Sequence, residues 1–290
     1  MATSNRAITG LDHVLVGVRD LDAARSGFAR LGFNSSPKGK HIGWGTANYC
    51  IMLDDDYIEL LGIVDAEKFT NGLDRFLEKR QGMMGLALGS GDPHITRDAW
   101  REAGLASAEF RPLRRLLESP DGDIDVAFEN VMLDRADCAG VPLFACHHLT
   151  PELLRRPGWT SHPNGARRLR SVTVLVPGVE QVADTFTRLL GRSALTRTDD
   201  VVTAHAGTTT ILLTSPGDAA LLHPAFDWPD EVDEPILAVL EIETGNSAKA
   251  RRFLDVQGVP YGVETDGGLT VQPDEAFGVA LEFTPGETLR

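Results

Sequence analysis

Leu11-Asp12-His13-Val14-Leu15-Val16-Gly17-Val18 opens the stretch that decides the fold, and Tyr57-Ile58-Glu59-Leu60-Leu61 closes it. Between them lie an amphipathic segment, Asp20–Leu31, stopped by Gly32, and a glycine-rich run, His41-Ile42-Gly43-Trp44-Gly45-Thr46-Ala47-Asn48. Tyr49-Cys50-Ile51-Met52-Leu53 and the acidic turn Asp54-Asp55-Asp56 follow. The periodicity reads as strand, helix and three strands. His13 falls on the first strand and Glu59 on the last, both amid apolar neighbours. A polar group buried in such a setting costs free energy unless it is paired or used.

The pattern recurs three times. Further copies begin at Met83, Leu169 and Ile236. Their helices are expected over Asp92–Ala103, Val179–Leu190 and, capped by Asn246, up to Gly258. Asp20, Asp92 and Asn246 suit an N-cap, and Gly32, Gly104, Gly191 and Gly258 suit the end of a helix. The strands that follow are expected at Ser107–Leu113, Asp125–Leu133 and Pro142–His148 in copy two. Copy three offers Ala194–Arg197, Val201–His205 and Thr209–Thr214. Copy four offers Pro260–Glu264, Leu269–Gln272 and Gly278–Phe283. The chain is therefore read as α+β, built from four βαβββ modules. The Pro- and Gly-containing stretch 150–168 is expected to link an N-terminal domain, residues 1–149, to a C-terminal one, residues 169–290.

Composition narrows the function. With 290 residues there is chain enough for about two domains. A formal net charge of -14 argues against a nucleic-acid or anionic-membrane partner. Cys50, Cys138 and Cys146 lie in apolar contexts and read as reduced core thiols. Met1–Arg6 carries no apolar leader and no segment is long enough to span a membrane, which together point to the cytoplasm.

Four βαβββ units in two pairs resemble the vicinal oxygen chelate superfamily, which includes glyoxalase I, extradiol dioxygenases and bleomycin-binding proteins. Leu11-Asp12-His13-Val14, His41–Asn48 and Tyr57-Ile58-Glu59-Leu60 are closest to its glyoxalase-like domain proteins. The resemblance implies paired modules whose mixed sheets form partly open cups, with one divalent ion held by first- and last-strand residues. It also implies a small-molecule substrate that chelates the ion through adjacent oxygens. The ion would act as a Lewis acid on an enediolate-like intermediate.

Aligned by their helices, the modules set His13 against Gly85, Val172 and Val239. Glu59 falls against the run Phe144–His148, against Leu212 or Leu213, and near Glu282. The expected metal ligands are His13, Glu59 and His148, with His147 as the alternative because neighbours on a strand face apart. Fe, Mn, Zn, Ni and Co all suit such donors. Glu59 is also the expected catalytic base, and Glu282 is expected to be structural. Trp44, on its glycine loop, with His41, Asn48 and Arg111 is expected to bind substrate. Arg114 and Arg115 read as surface charges, Asp54–Asp56 as a solvated turn, and Ser119–Gly122 as the loop after the Arg-rich strand. Isomerisation, ring cleavage and addition all remain open. So do a metal-free small-molecule binding protein and a scaffold acting as a homodimer.

Overall fold

The computed structural model describes residues 7–119 and 122–286. The expectations for Met1–Arg6 and for Pro120 and Asp121 lie outside the described residues. Module one comprises β1 (Ile8–Gly17), α1 (Leu21–Arg30), β2 (Gly39–His41), β3 (Thr46–Met52) and β4 (Tyr57–Ile63). A helix not expected from the sequence, α2 (Leu73–Lys79), leads to module two. This has β5 (Gly82–Ser90), α3 (Pro93–Glu102), β6 (Glu109–Leu117), β7 (Ile124–Met132) and β8 (Leu143–His148). Module three has β9 (Ala166–Leu175), α4 (Val179–Leu190), β10 (Leu195–Thr198), β11 (Val201–Ala206) and β12 (Thr209–Thr214). After a second unexpected helix, α5 (Pro216–Leu222), come β13 (Ile236–Thr244), α6 (Ser247–Gln257), β14 (Gly262–Val263), β15 (Leu269–Val271) and β16 (Ala280–Pro285).

The helices start where the capping residues stand. Asp20 accepts from the Ala23 amide, Asp92 from those of His94 and Ile95, and Asn246 from that of Lys249. Each satisfies a donor that the first helical turn leaves unpaired. Gly258 takes the left-handed conformation after α6, whereas Gly191 after α4 has φ 90° and ψ 151°.

The two halves form two mixed eight-stranded sheets. The first runs β1-β4-β3-β2-β6-β7-β8-β5 and returns to β1. It is closed, not partly open, because β2 pairs with β6 through Gly39–Leu117, Lys40–Leu116 and His41–Arg115. The second runs β10-β11-β12-β9-β13-β16-β15-β14 and stays open. In each sheet the modules join through antiparallel first strands, β1 with β5 and β9 with β13.

Strand alternation sorts side chains between two environments. Val14, Val16, Leu86 and Leu88 point out of the barrel into one apolar core with Val172, Val174, Leu240 and Ile242 of the second sheet. The two sheets approach backbone to backbone at glycines. A Cβ on Gly207 would lie 2.9 Å from the Gly10 Cα, and one on Gly82 would lie 2.5 Å from the Gly278 carbonyl oxygen. On the opposite face of the second sheet the segment after α5 lies across the strands. Phe226 packs with Val239 and Ala280, while His223 bonds Thr173 and Glu282. Glu282 is thus tied to the segment that follows α5.

The link between the halves is folded onto module one. His162 bonds the Met52 carbonyl at 2.8 Å and accepts from the Asn34 amide at 3.1 Å, and Asn164 bonds the Leu31 carbonyl that ends α1. The acidic turn is only partly solvated. Asp54 and Asp55 are exposed, but Asp56 is buried, with both carboxyl oxygens 3.1 Å from the Leu169 amide. It serves a backbone donor at the start of the second half, where a solvated turn was expected.

Candidate active site

The barrel interior is polar at its centre and apolar around it. From β1 and β4, His13 and Glu59 point inward, with His13 Nε2 3.5 Å from Glu59 Oε2. Tyr57 stacks on the His13 ring at 4.3 Å. The other ring nitrogen, Nδ1, lies 2.6 Å from Asp12 Oδ2. Successive residues of a regular strand face apart, but a bulge in the β1–β5 pairing between Leu11 and His13 lets Asp12 reach its neighbour. An Asp12 carboxylate accepting from Nδ1–H leaves Nε2 as the nitrogen with a lone pair, facing Glu59. Burial raises the Asp12 pKa, but hydrogen bonds from His13 and His148 outweigh it, and Asp12 stays ionised well below the usual carboxylate range.

Glu59 is held from several sides. Its Oε1 accepts from Asn48 Nδ2 and lies 3.7 Å from both His41 Nε2 and Arg115 Nη1. Burial raises the Glu59 pKa, while His13, His41, Arg115 and Asn48 lower it, with a net shift downward. His41 is pushed down to about 4, chiefly by burial, so its ring is neutral at neutral pH. Its Nδ1 bonds Thr46 Oγ1 at 2.8 Å.

Arg115 lies inside the barrel and is only 1% exposed, a correction to the surface role expected of it. It sits over the Phe128 ring, with Nη1 3.1 Å from Cys50 Sγ. Burial works against its charge, but Cys50, Tyr57 and Glu59 around it favour the protonated form. The sequence carried a signal for this position. Arg111, Leu113, Arg115 and Leu117 share one face of β6, and an inward Arg111 entails an inward Arg115.

The last strand of module two resolves a pair that sequence left open. His147 faces out of the barrel and bonds the Ser90 carbonyl at 2.8 Å. Phe144, Cys146 and His148 share the inward face. Glu59 pairs with Leu15, two residues beyond His13 on β1, and Cys146 pairs with Gly89, two residues beyond Ala87 on β5. Phe144 pairs with Ala87, the strand neighbour of His13, and Cys146 stands two residues beyond it on the same inward face. His148 lies one step farther along, its Nε2 2.9 Å from Asp12 Oδ1. Ala87 is the residue paired with His13, while Gly85 pairs with Leu15. Among the described residues, Asp12, His13 and Cys146 form a group whose ligand atoms all lie within 4.8 Å of one another.

A cavity of about 650 Å³, counting its open mouth, is bounded by this cluster. His13, His41, Glu59, Arg115, Asn130 and Cys146 line its polar part; Leu61, Met84, Leu113, Phe128, Met132 and Phe144 are among its apolar walls. Trp44 stands in the lining against Phe69. Asn48 lies behind, touching the cavity through Glu59 and His41. Arg111 reaches Asn71 Oδ1 at 3.4 Å, outside the lining. Sequence reasoning did not single out Asp12, Arg115, Asn130 or Cys146 as site residues.

The donor set suits a divalent ion. A histidine oriented through its far nitrogen by a carboxylate is the usual support for a metal-bound imidazole. The 3.5 Å between Nε2 and the Glu59 oxygen matches two donors sharing one ion at bond lengths of about 2.1 Å. Among the described residues the three-donor group that closes within 4.8 Å is Asp12, His13 and Cys146, and it does not include Glu59 or His148.

Several solved structures share this fold. A hypothetical protein from Staphylococcus aureus shares 13% identity at a TM-score of 0.66, covering 95% of this chain and 98% of that one. A triple mutant of 4-hydroxymandelate synthase from Streptomyces coelicolor shares 12%, TM-score 0.60, covering 98% and 94%. The Mn(II)-bound glyoxalase from Novosphingobium aromaticivorans shares 14%, TM-score 0.55, covering 96% and 82%. The fold is that of the vicinal oxygen chelate superfamily. The glyoxalase-like domain family matches residues 11–190, and the chain belongs to that family. No curated protein sequence matches it. Among the described residues, no helix is long and apolar enough to cross a membrane.

Proposed function

We propose that the protein is a metal-dependent enzyme acting on a small oxygen-bearing molecule inside the first barrel. The observation that carries this reading is the Asp12–His13–Glu59 arrangement, in which one carboxylate orients the imidazole toward a second. His13 Nε2 and Glu59 would hold a divalent ion, with a third donor from β8, either Cys146 or His148. When bound, that ion supplies Lewis acidity toward adjacent substrate oxygens. The chain's own groups do the rest. Asp12 keeps the His13 proton on Nδ1. Asn48 fixes the Glu59 carboxyl, whose depressed pKa leaves it ionised and able to accept a proton from substrate. Neutral His41 can donate or accept a hydrogen bond without adding charge, and the apolar walls and Trp44 exclude water from the reacting end.

A second reading is favoured by one observation. Arg115 already places a cation 3.7 Å from Glu59, as a metal-free binding protein would require to neutralise it. Substitution with Co(II) separates the two. Visible d–d absorption that disappears in His13→Ala supports the enzyme reading, and a sulfur-to-cobalt charge-transfer band lost in Cys146→Ala would name the third donor. A folded protein whose Co(II) spectrum is that of the free aqueous ion would leave the binding protein as the account.

A further inference from the structure

Arg115 has more donor capacity than the protein uses. Nη1 is engaged with Cys50 and near Glu59, whereas buried Nε and Nη2 have no hydrogen-bond partner among the described residues. These two nitrogens form one edge of the guanidinium, the fork that grips a carboxylate with two parallel hydrogen bonds. A buried donor left unmatched costs free energy, and more when it is charged. The cavity lining holds a second orphan, Asn130 Oδ1. Around them the walls are Leu113, Phe128, Met132 and Phe144. Glu59 does not satisfy the fork, since its nearest approach is to Nη1 and at 3.7 Å.

We infer that the cavity takes an organic carboxylate with an apolar body, its carboxylate on Arg115 Nε and Nη2 and its hydrocarbon part against the walls. Asn130 Oδ1 then presents an acceptor to a hydroxyl or amide on the same ligand. The inference rests on the cavity being the substrate site, as proposed above, but needs no ion. Charge selects within the class. A neutral analogue of the same shape would leave the fork unpaired.

Isothermal titration with 3-phenylpropanoate and 3-phenylpropan-1-ol, on the protein as purified and after chelator treatment, tests this. The expected result is at least tenfold tighter binding of the acid, retained after chelation and lost in Arg115→Lys, which keeps the charge but not the fork. A folded Arg115→Lys protein with the acid preference intact would overturn the inference. So would equal affinity for acid and alcohol, or binding of neither at millimolar concentration. Acid preference abolished by chelation would assign the carboxylate to an ion, overturning this inference while upholding the metal reading. If Arg115→Lys does not fold, the acid–alcohol comparison before and after chelation decides alone.

Discussion

Asp12 is the residue on which the site turns, because it fixes which nitrogen of His13 faces the cavity. Asp12→Asn can still touch the ring but no longer demands a proton on Nδ1. The expected result is a 10–100-fold loss of Mn or Zn affinity, with the fold retained, measured by titration calorimetry. A second residue-scale prediction concerns Asp56, whose pKa is pushed up to about 8, burial outweighing its hydrogen bonds from Leu169. Its unfolded value is about 4. Between those values the folded chain holds the proton and the unfolded chain has lost it, so this group's contribution falls as pH rises. It is fully present below pH 4 and lost by pH 9. Asp56→Asn should therefore melt higher relative to the native protein at pH 9 than at pH 5. A melting-temperature difference independent of pH would contradict this. Residues were the least legible scale in sequence. His13 and Glu59 stood out as polar groups on apolar strands. Asp12 did not, because its inward turn depends on a bulge that no sequence pattern marks. Arg115 was hidden by its neighbour Arg114, which is exposed and paired with Asp125.

Elements were far more legible. The caps Asp20, Asp92 and Asn246 each begin a helix where a short polar side chain can take an orphan amide. Asp92→Ala should cost about 1 kcal/mol in denaturant unfolding while leaving the cavity's ligand affinity unchanged. Helices α2 and α5 were missed because they are a mere seven residues each and lie between modules, outside the repeat that guided the reading. The edge of β8 shows the limit of pattern. Period two tells that Cys146 and His148 share a face, but what each lies against follows only from the pairing with β5 and β7. Substitutions along this strand should separate accordingly. His147→Ala, which removes a bond to a backbone carbonyl outside the barrel, should alter stability with little effect on the site. Cys146→Ala and His148→Ala should differ in metal affinity, and the larger loss identifies the third donor.

At the scale of the molecule, every site residue named above comes from the first half of the chain, while the outer faces of β1 and β5 are covered by the second sheet. The second half thus acts on the site through packing. It holds β1, and with it the bulge at Asp12, between the barrel and strands β9 to β13. The glycine approaches are where that packing is tightest. Gly82→Ala would bring a methyl group against the Gly278 carbonyl at a backbone φ of +120°. It should destabilise the protein by about 1–3 kcal/mol in chemical denaturation, an effect local sequence alone would not suggest. The fourfold repeat announced two sheets of paired modules, because a βαβββ unit cannot bury its apolar face alone. What the repeat could not announce is that the first sheet closes, since that depends on the three-residue strand β2 meeting β6.

The account's central claim is that His13 and Glu59 hold a divalent ion in the first barrel. Elemental analysis of full-length protein prepared with Mn, Zn, Ni, Co or Fe(II) tests it most directly. About one ion per chain is predicted, falling to near zero in His13→Ala and in Glu59→Gln with the fold intact. A folded native chain containing none of these metals, or a stoichiometry unchanged by His13→Ala, would contradict the account.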